Sequence, residues 1–276
     1  MSSLAPQRPD GFFDDWEIAS AQTRIDLIRS RLDSHIAYCR TAVPFFHERL
    51  DGFDPTAGAA LQNVPQMGAN DLRTHLPPAG DALLGPDRLA ITMFQSGGTT
   101  GMPKSAPFSH QELEALTFAN ARGFHAVGLK TEDRVANMFA VGSLYMTFVH
   151  INRMLQEFGC TNFPFASNTP PDFVDTVVDV FNINCFTGIA SIVLDCLRAI
   201  GDKRELRVEK VFYGGEHIYD ADVEELMTRF GVRTVAAPGY GTVESWYIGY
   251  QCAECPRGVF HAHDDQTYIE IVDEEG

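Results

Sequence analysis

Gln95-Ser96-Gly97-Gly98-Thr99-Thr100-Gly101-Met102-Pro103-Lys104 follows an apolar run, Leu89-Ala90-Ile91-Thr92-Met93-Phe94, that reads as a buried strand. Three glycines and three hydroxyl residues sit together and end on a lysine. Glycine lets backbone N–H groups converge on one point and lets a bulky anion come close. Ser96, Thr99 and Thr100 add neutral donors, and Lys104 adds a positive charge. The combination suits a polyphosphate. It is not a Walker A loop, which needs Gly directly before Lys and a helix starting there; Pro103 holds that place.

Two further glycine motifs lie at expected strand ends. Gly214-Gly215-Glu216 follows the run Val208 to Tyr213. Pro238-Gly239-Tyr240-Gly241-Thr242-Val243-Glu244 follows Arg233 to Ala237. Between the first motif and these two, strand-like and helix-like segments alternate. Arg134–Val141, Thr161–Phe165, Ile183–Thr187, Val208–Tyr213 and Arg233–Ala237 read as strands. Ser109–Arg122, Asn152–Phe158, a segment opening at Pro170-Pro171-Asp172, Ile189–Ile200 and Asp220–Phe230 read as helices. Ser109 and Glu112 form a capping box; Gly123, Gly159 and Gly231 read as helix stops. The expected fold is α/β, with a mostly parallel sheet flanked by helices and ligands held beyond the carboxyl ends of the strands.

Ser96 to Lys104 resembles the phosphate loop of the adenylate-forming enzymes, the superfamily of acyl-CoA synthetases, luciferases and peptide-synthetase adenylation domains. Gly214-Gly215-Glu216 and Tyr240 to Glu244 resemble two later motifs of the same superfamily, in the same order. Cys39 to Leu50, with Tyr38, and Val64-Pro65 through Asp71-Leu72-Arg73 are similar to the phenylacetate–CoA ligase branch. Gly68-Ala69-Asn70 departs from its usual Thr-Lys. The resemblance runs from about Ile36 to Asp273.

The resemblance implies an AMP-forming acid–CoA ligase. Ser96, Gly97, Gly98, Thr99, Thr100 and Gly101 would cradle ATP phosphates, and Lys104 would offset their charge. Gly215 and Glu216 would lie along the adenine, and Tyr240, with Gly241 and Thr242 beside it, would stack on it. Glu244 would hold Mg²⁺, a hard cation that takes carboxylate oxygen. The hydroxyl that normally precedes this Glu is Val243 here, for which Thr242 could substitute. Gly142, Tyr145 and Phe148 would line the acid pocket, with an aromatic acid as the family-level substrate. Attack of the carboxylate on the α-phosphate gives acyl-adenylate and pyrophosphate, and a thiol, coenzyme A, then displaces AMP. The phosphate loop is expected to face Tyr240 and Glu244 across one cleft.

Two alternatives stay open: an adenylating enzyme with a carrier-protein thiol or an amine as acceptor, and a non-catalytic module that binds nucleotide or zinc. Family members continue past the point where this chain ends, with a β-rich subdomain and a small lid domain, so the chain reads as an N-terminal large domain with weak or no turnover by itself. The expected layout is a helical region over 1–80, a nucleotide- and substrate-binding core over 81–250, and a Cys/His segment opening a β-hairpin over 251–276.

Cys252-Ala253-Glu254-Cys255, followed by His261 and His263, has the spacing of a structural Zn²⁺ site, with His263 or His217 as the fourth ligand. Cys39, Cys160, Cys185 and Cys196 read as small buried apolar residues. A net charge of −16, from 21 basic and 37 acidic residues, argues against a nucleic-acid partner. The first residues lack the apolar core of a signal peptide, and no apolar run is long enough to span a bilayer, so a cytoplasmic location without membrane contact is expected. Dimers are common in the family, which leaves a homodimer open.

Overall fold

The computed structural model describes residues 4, 6, 8–53, 64–86, 91–97 and 103–273. The chain divides into two compact units, Ile18–Leu113 with Asp264–Gly276, and Met1–Glu17 with Glu114–His263.

In the first unit, the three- and four-residue spacing of Ile25, Ile28, Leu32, Ile36 and Cys39 gives helix α1, Ala21–Ala42. Ser20 caps it by accepting a hydrogen bond from the Thr23 amide. Pro44 starts the short α2, Pro44–His47, and α3 covers Ala69–His75. Ile36, Cys39 and Leu50 form a small core here. Strands β1, Thr92–Gln95, and β2, Ser105–Phe108, pair antiparallel. The expected buried strand is therefore corrected. Leu89 and Ala90 lie outside the described residues, Thr92 is exposed, and Phe94 is the buried residue of β1. A two-stranded ribbon covers each strand on few sides, so hydrophobicity alone does not bury it.

Helix α4, His110–Ala126, leads into the second unit. Its capping box is present: the Glu112 amide donates to Ser109 Oγ at 3.2 Å, and the Ser109 amide donates to Glu112 Oε2 at 2.6 Å. Gly123 does not stop the helix. It is buried inside α4, and a Cβ there would lie 2.2 Å from the Pro238 carbonyl oxygen. The residue is glycine because the Pro238 backbone crosses the helix at that point. The turn falls later, where Gly128 takes φ of 98°.

Five parallel strands follow: β3, Arg134–Met138; β4, Thr161–Phe163; β5, Cys185–Ile189; β6, Lys210–Gly214; and β7, Thr234–Ala236. Their order is β4-β3-β5-β6-β7. The connecting helices are α5, Thr147–Phe158; α6, Pro171–Val178; α7, Ala190–Gly201; and α8, Asp220–Arg229. Gly159 ends α5 at φ of 98°, as its position implies. Two apolar clusters pack on the sheet, one around Phe186, Leu197 and Phe230, the other around Phe124, Phe158 and Phe212. Near the N-terminus, Phe13 enters the second cluster, whereas Phe12 is exposed. All four scattered cysteines are buried, and burial pushes the Cys160 and Cys196 thiols up to about 12.

A feature the sequence reading lacked is a three-stranded antiparallel sheet: β8, Tyr240–Thr242; β9, Trp246–Tyr250; and β10, His261–Ala262, in the order β10-β9-β8. Its strands are too short for an alternating pattern to emerge. Among the described residues, no helix is long and apolar enough to cross a membrane.

Candidate functional site

In the first unit, β1 and β2 form an antiparallel hairpin, and the glycine-threonine stretch lies between them in the chain. Its neck is closed by two hydrogen bonds: the Ser96 amide donates to the Lys104 carbonyl at 3.0 Å, and the Lys104 amide donates to Ser96 Oγ at 2.9 Å. The Ser96 hydroxyl oxygen thus organises the neck. Gly97 is exposed, while Gly98, Thr99, Thr100 and Gly101 lie outside the described residues. Lys104 leads into a strand rather than a helix, as expected for a loop that is not Walker A.

In the second unit, the parallel sheet collects several expected residues at its carboxyl edge. The strand order reverses between β3 and β5, the kind of point where open α/β sheets bind ligands. Beyond β3, Gly142, Ser143 and Leu144 take positive φ (81°, 48° and 61°). Two consecutive non-glycine residues in that region are strained, and such strain concentrates at functional turns. Tyr145 follows at 41% exposure, and Phe148, on the first turn of α5, packs partly against the core. Beyond β6, Gly215 turns the chain at φ of 82°. Glu216 Oε1 then accepts from the Ser191 amide at 2.5 Å, so this carboxylate caps the amino end of α7.

Beyond β7 the chain enters the β8–β9 hairpin, which carries Tyr240 to Glu244. A Cβ on Gly239 would meet the Tyr247 ring at 2.1 Å, and one on Gly241 would meet the Trp246 carbonyl oxygen at 1.7 Å. Both glycines are required by the close approach of β9. Tyr240, between them, is left 58% exposed, with its ring tilted against Phe260 at 5.6 Å. Glu244 occupies the hairpin turn and is half-buried. The Thr242 hydroxyl oxygen lies 3.1 Å from Ser245 Oγ and accepts from the Ser245 amide at 3.3 Å. That hydroxyl is engaged in the turn, beside Val243.

A buried polar group behind this hairpin escaped the sequence reading. Trp246 Nε1 donates to Asn120 Oδ1 at 2.8 Å, and the Trp246 ring meets His150 edge-on at 4.9 Å. His150 is 3% exposed. Burial lowers its pKa to about 3, opposed by a hydrogen bond to the Leu116 carbonyl and aided by the Arg153 charge. It is a neutral imidazole at ordinary pH. Burial also pushes the Tyr247 phenol up. The pairing across α4, α5 and β9 has no local sequence signal.

The Cys/His segment closes the loop between β9 and β10. Cys252 Sγ and Cys255 Sγ are 3.5 Å apart, and His261 Nε2 lies 3.2 Å from the first and 3.4 Å from the second. Neither expected fourth ligand joins them. His263 is fully buried, its Nδ1 3.1 Å from Arg122 Nη1, and Arg122 is in turn paired with Asp14. His217 packs edge-on against Tyr219. At the opposite, amino edge of the sheet, a cavity of about 590 Å³ is lined by Lys130, Asp133, Asn184, Lys210 and Arg233. Lys210 Nζ there is held by Asp133 and the Gly128 carbonyl, so its charge is already satisfied.

Residues 45–276 match the family described as AMP-binding enzyme. The phenylacetate-coenzyme A ligase of Thermus thermophilus is 25% identical over 255 residues, 90% of this chain and 56% of its own length. That of Pseudomonas putida is 23% identical over 269 residues, 94% of this chain and 60% of its own length. The chain thus spans less than two thirds of these relatives. Among solved structures, 2-hydroxyisobutyryl-CoA ligase with 2-HIB-AMP and CoA superposes with a TM-score of 0.71 at 20% identity, over 85% of this chain and 58% of that one. The same enzyme with R3-HIB-AMP gives 0.72 at 20% identity, over 91% and 58%. At such identity the likeness is one of fold.

Proposed function

Since this chain belongs to the AMP-binding enzyme family, we propose that it binds MgATP and activates a carboxylic acid as an acyl-adenylate, with coenzyme A as the thiol that then displaces AMP. The observation that carries the reading is the Tyr240–Glu244 hairpin, which follows β7 at the carboxyl edge of the parallel sheet, next to β6, the strand that ends in Gly214. An exposed aromatic ring there suits a purine face. A carboxylate in the adjoining turn suits Mg²⁺, whose other oxygens the phosphates bring.

The chemistry asks for neutralisation of crowded negative charge as the carboxylate approaches the α-phosphate. Lys104 and the backbone donors of residues 97–101 are assigned to the phosphates, and Glu244 to the metal ion. With a net charge of −16, the protein's overall field repels ATP, so these local groups carry the attraction. The acid is assigned to the strained turn at Gly142 and to Tyr145 and Phe148, whose aromatic faces favour an aromatic acid such as phenylacetate. Glu216 is assigned to holding α7 in place, with the backbone at Gly215 along the adenine.

The test is acid-dependent ATP–pyrophosphate exchange. Exchange that is lost in Glu244→Ala, with the fold intact by circular dichroism, supports the assignment. Exchange unchanged in that variant removes Glu244 from the mechanism. A second reading, nucleotide binding without adenylation, draws on Val243 and on the engaged Thr242 hydroxyl. MgATP binding with no exchange for any acid, in a chain extended to the length of its relatives, would favour it. Exchange that needs no coenzyme A, followed by transfer to a carrier-protein thiol or an amine, would mark a different acceptor.

A further inference from the structure

We propose that Cys252, Cys255 and His261 bind one zinc ion, and that this centre clamps the loop that backs Tyr240. Tetrahedral zinc with bonds of about 2.3 Å to sulfur and about 2.05 Å to nitrogen has ligand–ligand edges of about 3.8 Å (S···S) and about 3.6 Å (S···N). The three measured separations are 3.5, 3.2 and 3.4 Å. The donors therefore already form one face of the tetrahedron, each edge short by only about 0.4 Å or less. Two thiols and an imidazole nitrogen aimed at a common point gain little from one another, since sulfur is a weak donor and a weak acceptor. A borderline-soft divalent cation satisfies all three at once. Both thiolates and a neutral imidazole are the states zinc requires.

Among the described residues no other donor lies with these three, and His261 is exposed. The open vertex is left to a ligand from outside the described residues or from solvent.

The placement explains what the ion does. Strands β9 and β10 pair over two residues, His261 with Tyr250 and Ala262 with Gly249, which is a marginal ladder for the loop of residues 251–260. Two turns organise that loop: the Cys255 amide donates to the Cys252 carbonyl, and the Val259 amide to the Pro256 carbonyl. Gln251 bridges it to the end of β7, accepting from the Ala237 amide at 3.1 Å and donating to the Pro256 carbonyl at 3.1 Å. Phe260, adjacent to the ligand His261, is the residue against the Tyr240 ring. Zinc at the mouth of the loop thus fixes Phe260, and Phe260 fixes one side of Tyr240.

The experiment needs no nucleotide, so its outcome is independent of the ligase reading. Protein purified under reductant, with zinc supplied and no chelator, is expected to hold about one zinc per chain. Cobalt exchanged into it gives a thiolate-to-cobalt charge-transfer band with tetrahedral d–d absorption. Cys255→Ser and His261→Ala fall below about a tenth of an equivalent, while Cys39→Ser keeps the full ion. Hydrogen exchange on the wild type then reads the clamp: chelation speeds exchange at Tyr240–Thr242 and Gly249–Tyr250 and leaves β3 unchanged. Zinc below a tenth of an equivalent in the wild type, or a full equivalent retained in His261→Ala and Cys255→Ser, overturns the site. Unchanged protection at 240–242 after complete metal removal overturns the clamp.

Discussion

Glycines punctuate two stretches of this chain for opposite reasons. At Gly239 and Gly241 the space for a side chain is already taken by Tyr247 and Trp246. Those glycines serve packing, and their removal attacks the fold. Between β1 and β2 Gly97 is exposed, next to a neck held by Ser96 and Lys104. Here glycine is assigned to ligand approach, and its removal should attack binding. The same residue type, in two motifs of similar appearance, thus divides into a stability role and a proposed ligand-binding one. The division is visible only when the neighbours in space are known.

Substitution can break this comparison. The largest effect is expected for Gly241→Ala, whose Cβ would meet backbone oxygen that cannot move aside. It should cost about 3 kcal/mol or more, read as a fall in the denaturant midpoint. Gly123→Ala meets the Pro238 carbonyl in the same way from the helix side and should cost about 1–3 kcal/mol. A midpoint unchanged in either variant would contradict the packing account.

The same unit carries a pH signature. His150 has a native pKa lowered from 6.5 to about 3, so as pH falls below 6.5 the unfolded chain takes up a proton that the native state refuses. Stability is complete above that pH and declines toward pH 3, by about 2 kcal/mol at pH 5 from this residue alone. Urea melts of His150→Gln should show a shallower acid decline than the wild type. The smallest stability effect is expected for Gly97→Ala, within about 0.5 kcal/mol of the wild type, while MgATP affinity falls several-fold. A large stability loss there without a change in affinity would erase the distinction between the two glycine classes.

The sequence made the parallel sheet legible because each βα unit carries its own signals: an apolar strand, a helix at 3.6-residue period, and a stop such as Gly159. It misread Gly123, because a glycine near a helix end looks like a stop whether it turns the chain or admits another backbone. It also overrated the burial of the run before Ser96, since hydrophobicity does not tell how many neighbours a strand has. The β8–β10 sheet stayed hidden because its pairs are formed by two- to five-residue strands joined by loops. Cys252, Cys255 and His261 were legible from spacing. The fourth position was not, because the fate of His263 depends on Arg122 and Asp14, far away in the chain.

The central claim is that Glu244 and its hairpin serve a magnesium-bound nucleotide. Calorimetric titration of the chain with ATP, with and without Mg²⁺, tests it most directly. The account predicts saturable, Mg²⁺-dependent binding that weakens about tenfold or more in Glu244→Ala, a change of about 1.4 kcal/mol or more. Equal affinity in the wild type and the variant, or no dependence on Mg²⁺, would contradict it.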